Sequence, residues 1–221
     1  MAAINQTEPY MINHLTLQWT NRRLITMDPD RIGSFQYLFY DFWQEKQHPL
    51  TQDLPLIRNP PGTILSIVFV YWFLVRVLLP KLMRNREPFD LRTIMLLHNS
   101  FLIGLNGIGV LVSLYLSRFM YLTWSCSADD FRDVPAWQYR LNAYLGYFYF
   151  LSKLLDFIDT FFFVLRKRYH QASFLHVFHH GLMPFASYIG LKYAPYFYSG
   201  KFFFLQFISS CGELHIFRPV D

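Results

Sequence analysis

Apolar residues in this chain come in long blocks rather than in alternating or one-faced patterns. The block 62–79 reads GTILSIVFVYWFLVRVLL and holds one charge, Arg76, near its end. At 1.5 Å rise per residue it covers about 27 Å, close to the hydrocarbon thickness of a bilayer. Comparable blocks at 94–117, 141–165, 174–191 and 197–217 bring the expected spans to about five, the fourth kinked or broken near Pro184. Residues 1–61 form a polar-to-mixed head, and Pro49, Pro55, Pro60 and Pro61 punctuate its approach to the first span. The pattern predicts an all-α protein: a polytopic membrane helix bundle over 62–221, preceded by the head.

Charge orients these spans. Lys81, Arg84, Arg86 and Arg92 follow the first span, and Arg166, Lys167 and Arg168 follow the third. The loop between spans two and three balances Asp129, Asp130 and Asp133 against Arg118, Arg132 and Arg140. Basic loops stay cytosolic, so the amino terminus is expected to be lumenal, where the Asn5 glycosylation sequon and Cys126 would lie. Composition agrees with the membrane reading: 53% of residues are hydrophobic, 20% aromatic and 16% charged, against about 25% charged in soluble domains. The net charge of +5 sits beside apolar blocks, which suits anionic lipid and not nucleic acid. Two cysteines, Cys126 and Cys211, are too few for a disulfide framework. The first thirty residues lack the apolar core of a cleavable signal peptide, so insertion is expected to depend on the internal blocks.

The segment 153–180, KLLDFIDTFFFVLRKRYHQASFLHVFHH, breaks the apolar pattern. An ionisable residue at bilayer depth costs roughly 2.5–3.5 kcal/mol on insertion scales. Lys153, Asp156 and Asp159 fall at about 0°, 300° and 240° round a helix and so share a face, with Thr160 beside Asp159. They form either a self-neutralising polar seam or a path for protons or substrate. His176, His179 and His180 share a helical face in turn. Three readings stay open: a packed cluster, a metal site, or acyl chemistry in which one imidazole is the nucleophile and a neighbour moves protons. A metal would resemble the membrane di-iron desaturases and hydroxylases, which use several histidine boxes. Of the other histidines, His14 and His48 lie in the head, His98 is isolated in span two, and His170 and His215 stand apart. One box cannot fill two iron coordination shells.

The paired segments resemble those of the ELO family, the elongases of very-long-chain fatty acids. That family carries KxxExxDT followed by HxxHH. Here these stand as Lys153-Leu-Leu-Asp156-Phe-Ile-Asp159-Thr160 and His176-Val-Phe-His179-His180. Pro80-Lys81-Leu82-Met83, Arg86-Glu-Pro88-Phe89 and Leu91-Arg92 resemble the family's first basic loop, Asn99 its second-span asparagine, and Trp124-Ser-Cys126 a lumenal-loop motif. The resemblance covers about residues 50 to 215.

The resemblance implies a seven-span protein of the endoplasmic reticulum membrane, with six helices forming a barrel around an acyl tunnel. It implies condensation of a long-chain acyl-CoA with malonyl-CoA to a 3-oxoacyl-CoA two carbons longer, with no metal and no cofactor beyond these substrates. His179 would take the acyl group, His176, His180 and His215 would orient it or move protons, and Lys153, Asp156, Asp159 and Asn99 would line the polar end of the tunnel. Partners would be membrane lipid and other elongase copies, alike or different. Two departures stand out. Asp156 replaces the usual Glu, one methylene shorter. His215 matches the histidine of HxxMYxYY, but Ile-Phe-Arg-Pro-Val-Asp follows. Five expected spans do not close a six-helix barrel, so the chain is expected to be incomplete at its carboxyl end. A catalytically inactive truncated elongase, acting as a membrane partner subunit, is the alternative.

Overall fold

Pro60 is extended and Pro61 takes the first helical position, where its missing N–H would have had no partner in any case. From there the computed structural model carries one helix, α1, over Pro61–Met83. The structure describes residues 35–116, 136–193, 195, 206 and 208. Leu74–Leu78 form a π-type turn within α1, just ahead of Pro80. A proline at 80 offers no N–H to the carbonyl of Arg76 and crowds it, and the widened turn lets the helix pass without breaking. The sequence pattern ends the span at 79. The structure instead runs the helix through Met83, which is buried, so the basic loop starts at Arg84.

Helix α2 (Arg92–Leu116) opens with the Asp90 carboxylate accepting the Arg92 N–H at 3.3 Å. It has two faces of different chemistry. Met95, Asn99, Leu102, Asn106, Gly109, Ser113 and Leu116 are buried, and the polar members recur every seven residues. Leu97, Phe101, Ile108, Leu111 and Tyr115 lie exposed. Both α1 and α2 are long and apolar enough to cross a membrane.

The third expected span is two helices, α3 (Ala136–Leu155) and α4 (Phe157–Leu165), broken at Asp156. Ser152 explains part of this: its hydroxyl donates to the Tyr149 carbonyl at 2.7 Å, one turn back, and such bonds bend helices. Helix α4 ends sharply. Lys167 takes a left-handed conformation (φ 57°), its N–H reaches the Val164 carbonyl at 3.0 Å, and the Arg168 N–H reaches Phe163 at 2.9 Å. This is a Schellman closure made without glycine. Helix α5 (Phe174–Tyr193) then starts on Ser173, whose hydroxyl accepts the His176 N–H at 3.2 Å. Pro184 lies inside α5 and does not interrupt it, unlike the broken helix the sequence allows for. The fifth expected span lies outside the described residues except for 206 and 208.

Among the described residues every regular element is helical. Close approach locks α5 to its neighbours. A side chain at Gly181 would meet Val68 of α1 at 3.2 Å, and one at Gly146 would meet Leu191 at 3.0 Å from α3. One apolar core joins Leu54, Ile57, Ile64, Phe150, Tyr188 and Leu191. A second joins Tyr71, Val75, Phe157, Val164, Ala172 and Val177.

The described part of the head is fastened to the end of α5. Lys192 is fully buried, and its Nζ donates to the carbonyls of Ile57 at 2.7 Å and Asn59 at 2.9 Å. The Tyr188 hydroxyl also donates to Asn59 O at 2.7 Å. The His48 N–H donates to the Lys192 carbonyl at 2.8 Å, and its Nδ1 accepts the Leu50 N–H at 3.2 Å. Burial pushes the His48 pKa down from 6.5 to about 4. Above pH 6.5 the ring is neutral in the folded and unfolded chain alike. Below it the unfolded chain takes up a proton that the folded chain refuses, so stability falls towards pH 4, by on the order of 3 kcal/mol in full. Thermal unfolding in detergent is therefore expected to shift to lower temperature between pH 7 and 4.5. His48→Gln should flatten a measurable part of that slope, and an unchanged slope would rule this ring out.

Candidate functional site

Two adjacent residues of α4 look towards different helices. Asp159 Oδ1 lies 3.4 Å from His98 Nε2 on α2. Thr160 Oγ1 lies 3.1 Å from His176 Nε2 on α5 and 3.0 Å from the Tyr71 hydroxyl on α1. One turn back, across the break, Lys153 Nζ meets Asp156 Oδ2 at 2.8 Å. Lys153 also stands over the Tyr149 ring at 4.8 Å. Gln206 reaches the same Asp156 oxygen at 3.4 Å. Lys153, Asp156, Asp159 and Thr160 are all buried, Thr160 completely. The shared face expected for the acids and the lysine is therefore a buried face, and the break at Asp156 does not scatter it.

The histidine box divides. His176 and His180 are half-buried, their ring centroids 4.2 Å apart, and His176 faces Thr160. His179 is exposed, although its ring lies 5.5 Å from that of His180. Helix geometry gives the reason. The buried stripe of α5 runs through Val177, Gly181, Pro184, Tyr188 and Leu191. His180 and His176 stand about 60° and 100° from Val177 round the helix, and His179 about 160°. Of the three imidazoles that share a helical face, His176 and His180 lie partly buried and His179 does not. His215 lies outside the described residues, as do Asn5, His14, Cys126 and Cys211.

Several buried polar atoms here have no hydrogen-bond partner among the described residues: Asn99 Oδ1, Asp156 Oδ1 and His98 Nε2, the last at ion-pair distance but poorly aligned. Buried polar atoms are normally satisfied, so these atoms suit a site that takes in water or a polar ligand group. No group of three or more His, Cys, Asp or Glu side chains among the described residues is gathered to hold a metal ion. Beside the box, a groove of about 360 Å³ opens between α1 and α5. Val68, Tyr71, Trp72, Phe178, Leu182 and Phe185 are among its lining residues, which are almost wholly apolar.

Sequence reasoning missed two members of this cluster. His98 reads as isolated in span two, yet it meets Asp159; its place directly before Asn99, at the same helical level, was the available signal. Tyr71 lies in an aromatic-rich block where no spacing distinguishes it.

A family model described as "ELO: GNS1/SUR4 family" matches residues 56–211. Very long chain fatty acid elongase 7 of Drosophila melanogaster is 38% identical over 180 residues, 76% of this chain and 52% of that protein. Its namesake in Rattus norvegicus is 36% identical over 164 residues, 71% and 54% of the two chains. Very long chain fatty acid elongase 1 of Mus musculus is 37% identical over 150 residues, 66% and 52%. The chain spans about half the length of the curated relatives it matches.

The Lys153–Asp156 pair generates a stability test. Lys153→Met leaves a buried carboxylate without its cation and is expected to cost about 3–5 kcal/mol. Adding Asp156→Leu removes the orphaned charge and should restore most of that loss. Unfolding in detergent measures both, and additive losses in the double variant would contradict the pairing.

Proposed function

The chain belongs to the ELO (GNS1/SUR4) family, and on that premise we propose that it acts in fatty acid elongation as a very-long-chain 3-oxoacyl-CoA synthase. The observation that carries the reading is the 3.1 Å contact between Thr160 and His176. It joins the acidic segment to the histidine box, so the two motifs act as one site. In the first half-reaction an imidazole nitrogen attacks the acyl thioester, the C–S bond breaks and CoA leaves. In the second, malonyl-CoA loses CO₂, and the carbanion so formed takes the acyl carbon and releases the imidazole. The 3-oxoacyl-CoA is two carbons longer than the acyl-CoA supplied.

His179 is the proposed acyl acceptor: its exposure leaves the ring open to a substrate, and the apolar groove between α1 and α5 suits an acyl chain. His176 and His180 hold and move protons behind it. Lys153, Asp156, Asp159 and Asn99 form the polar wall, with His215 as a further proton-moving residue. No metal or other cofactor takes part. The basic ends of α1 and α4 are held together, the Phe89 N–H donating to Leu165 O at 3.2 Å and Lys167 Nζ to Arg84 O at 3.5 Å. Such a cluster favours CoA phosphates and anionic lipid. The proposed setting is the endoplasmic reticulum membrane with a lumenal amino terminus, and the proposed partners are membrane lipid and other elongase copies.

Microsomes carrying this chain, given a long-chain acyl-CoA and labelled malonyl-CoA, should form labelled 3-oxoacyl-CoA. His179→Ala should lower the rate at least about 100-fold. An acyl adduct mapped by mass spectrometry to His176 or His180 would move the nucleophile. No product from inserted wild-type chain, with inhibition of a co-expressed full-length elongase, would favour the inactive partner subunit instead.

A further inference from the structure

Residues 35–45, in the described part of the head, are helical, with a π-type turn at Tyr37–Asp41. Phe35, Gln36, Phe39 and Tyr40 are exposed, whereas Tyr37 is buried. The spacing i, i+1, i+4 and i+5 puts the exposed four on one side of the helix. Three of them are large aromatics: Phe35, Phe39 and Tyr40 are 77%, 59% and 52% exposed. The Phe35 and Phe39 rings stack on each other, centroids 4.3 Å and planes 22° apart. The two charges of the helix, Asp41 and Glu45, fall outside this face.

The level of this helix along the bundle follows from its fastenings. Helix α5 starts beside the basic turn Arg166–Arg168 and runs 20 residues to Tyr193, about 30 Å, the hydrocarbon thickness of a bilayer. Its last turn therefore lies at the membrane face opposite the basic loops. The head is tied to that turn. Trp43 packs on Tyr193 with ring centroids 6.1 Å apart, Gln44 Nε2 donates to the Arg58 carbonyl, and the His48 N–H donates to the Lys192 carbonyl at 2.8 Å. Ile57 and Asn59, held by Lys192, lead into α1 at Pro61. The carboxyl end of the helix is thus kept where head groups meet acyl chains, and Phe35 stands about 12 Å from Trp43 along the axis.

Chemistry decides how the helix lies. Standing off the membrane, it would leave the aromatic face in water, and contiguous apolar patches of that kind mark interaction sites. Lying along the surface, it covers the face with lipid. Aromatic rings favour this layer, their bodies apolar and the Tyr hydroxyl able to meet head groups. The same end of α1 exposes Leu65 and Phe69, so the apolar surface of the span continues at this depth. We propose that residues 35–45 are an interfacial membrane anchor, in which Phe35, Phe39 and Tyr40 enter the leaflet opposite the basic loops and take phospholipid as their partner. The anchor adds to the hold of the spans and does not depend on the elongase reading.

Nitroxide labels on the full chain in phosphatidylcholine nanodiscs test this. Cys126→Ser and Cys211→Ser first remove the native thiols. Phe39→Cys is then labelled, with Phe35→Cys as the second position if the first does not fold. Ile108→Cys, on the exposed face of α2, and Glu87→Cys, in the exposed basic loop, set the lipid and water standards. Oxygen concentrates in the bilayer and a nickel chelate in water, so the ratio of their collisions with a label reports its depth. At position 39 oxygen collisions should exceed nickel collisions, as at Ile108 and unlike Glu87, with a depth of about 5–10 Å into the head-group and acyl boundary. Nickel collisions in excess would put the aromatic face in water and overturn the proposal. Few collisions with either reagent would mean that protein, from this chain or a second copy, covers the face, and would overturn it equally. No substrate enters these measurements, so their failure leaves the elongase reading standing.

Discussion

The demand that polar groups inside an apolar bundle find partners falls most heavily on Asp159 and Thr160. Neighbours on a helix point about 100° apart. Asp159 therefore looks to His98 on α2 while Thr160 looks to His176 on α5 and Tyr71 on α1. Satisfying both sets the rotation of three surrounding helices at once. Apolar contact does not do this, because it is non-directional and tolerates sliding. The stacked Tyr71 and Phe157 rings and the core around Val75 and Val164 supply the attraction, and the polar joint supplies the register.

Local structure prepares the joint. The bend at Asp156 aims α4 independently of α3, and Ser152 contributes to it through its bond to the Tyr149 carbonyl. Lys167 closes α4 in a left-handed conformation, and Ser173 caps α5 through the His176 N–H. The turn between the two motifs is thus fixed at both ends, and the box opens α5 at a set distance from Thr160. At the far end of α5, Lys192 and Tyr188 hold the carbonyls of Ile57 and Asn59. Several of the groups proposed here for acyl chemistry also order the bundle, which on that proposal ties stability to function at these positions.

Much of this was legible in the chain itself. Membrane-length apolar blocks located α1 and α2, and the intrusion of Lys153, Asp156 and Asp159 marked a buried polar face. The hallmark pair of motifs indicated the family that the comparisons establish. What periodicity could not supply were contacts between helices. An ideal 100° step puts His179 with its neighbours, but the stripe that α5 buries is set by Gly181 fitting against Val68, a tertiary fact. His98 looked solitary because its partner is some sixty positions away in sequence, and Tyr71 was one aromatic among many. The first span was expected to end at 79 and the fourth to kink or break near Pro184, but a π-type turn carries α1 past Pro80 and α5 continues through Pro184.

A double-mutant cycle on Thr160→Val and His176→Phe measures the joint most directly, since the first replacement keeps shape, the second keeps a planar ring, and each removes the hydrogen bond. Unfolding free energies in detergent should show a coupling of about 1 kcal/mol, as expected for a buried side-chain hydrogen bond. Losses that simply add, within about 0.3–0.5 kcal/mol, would mean the two motifs do not touch, and the account of one shared site would fail.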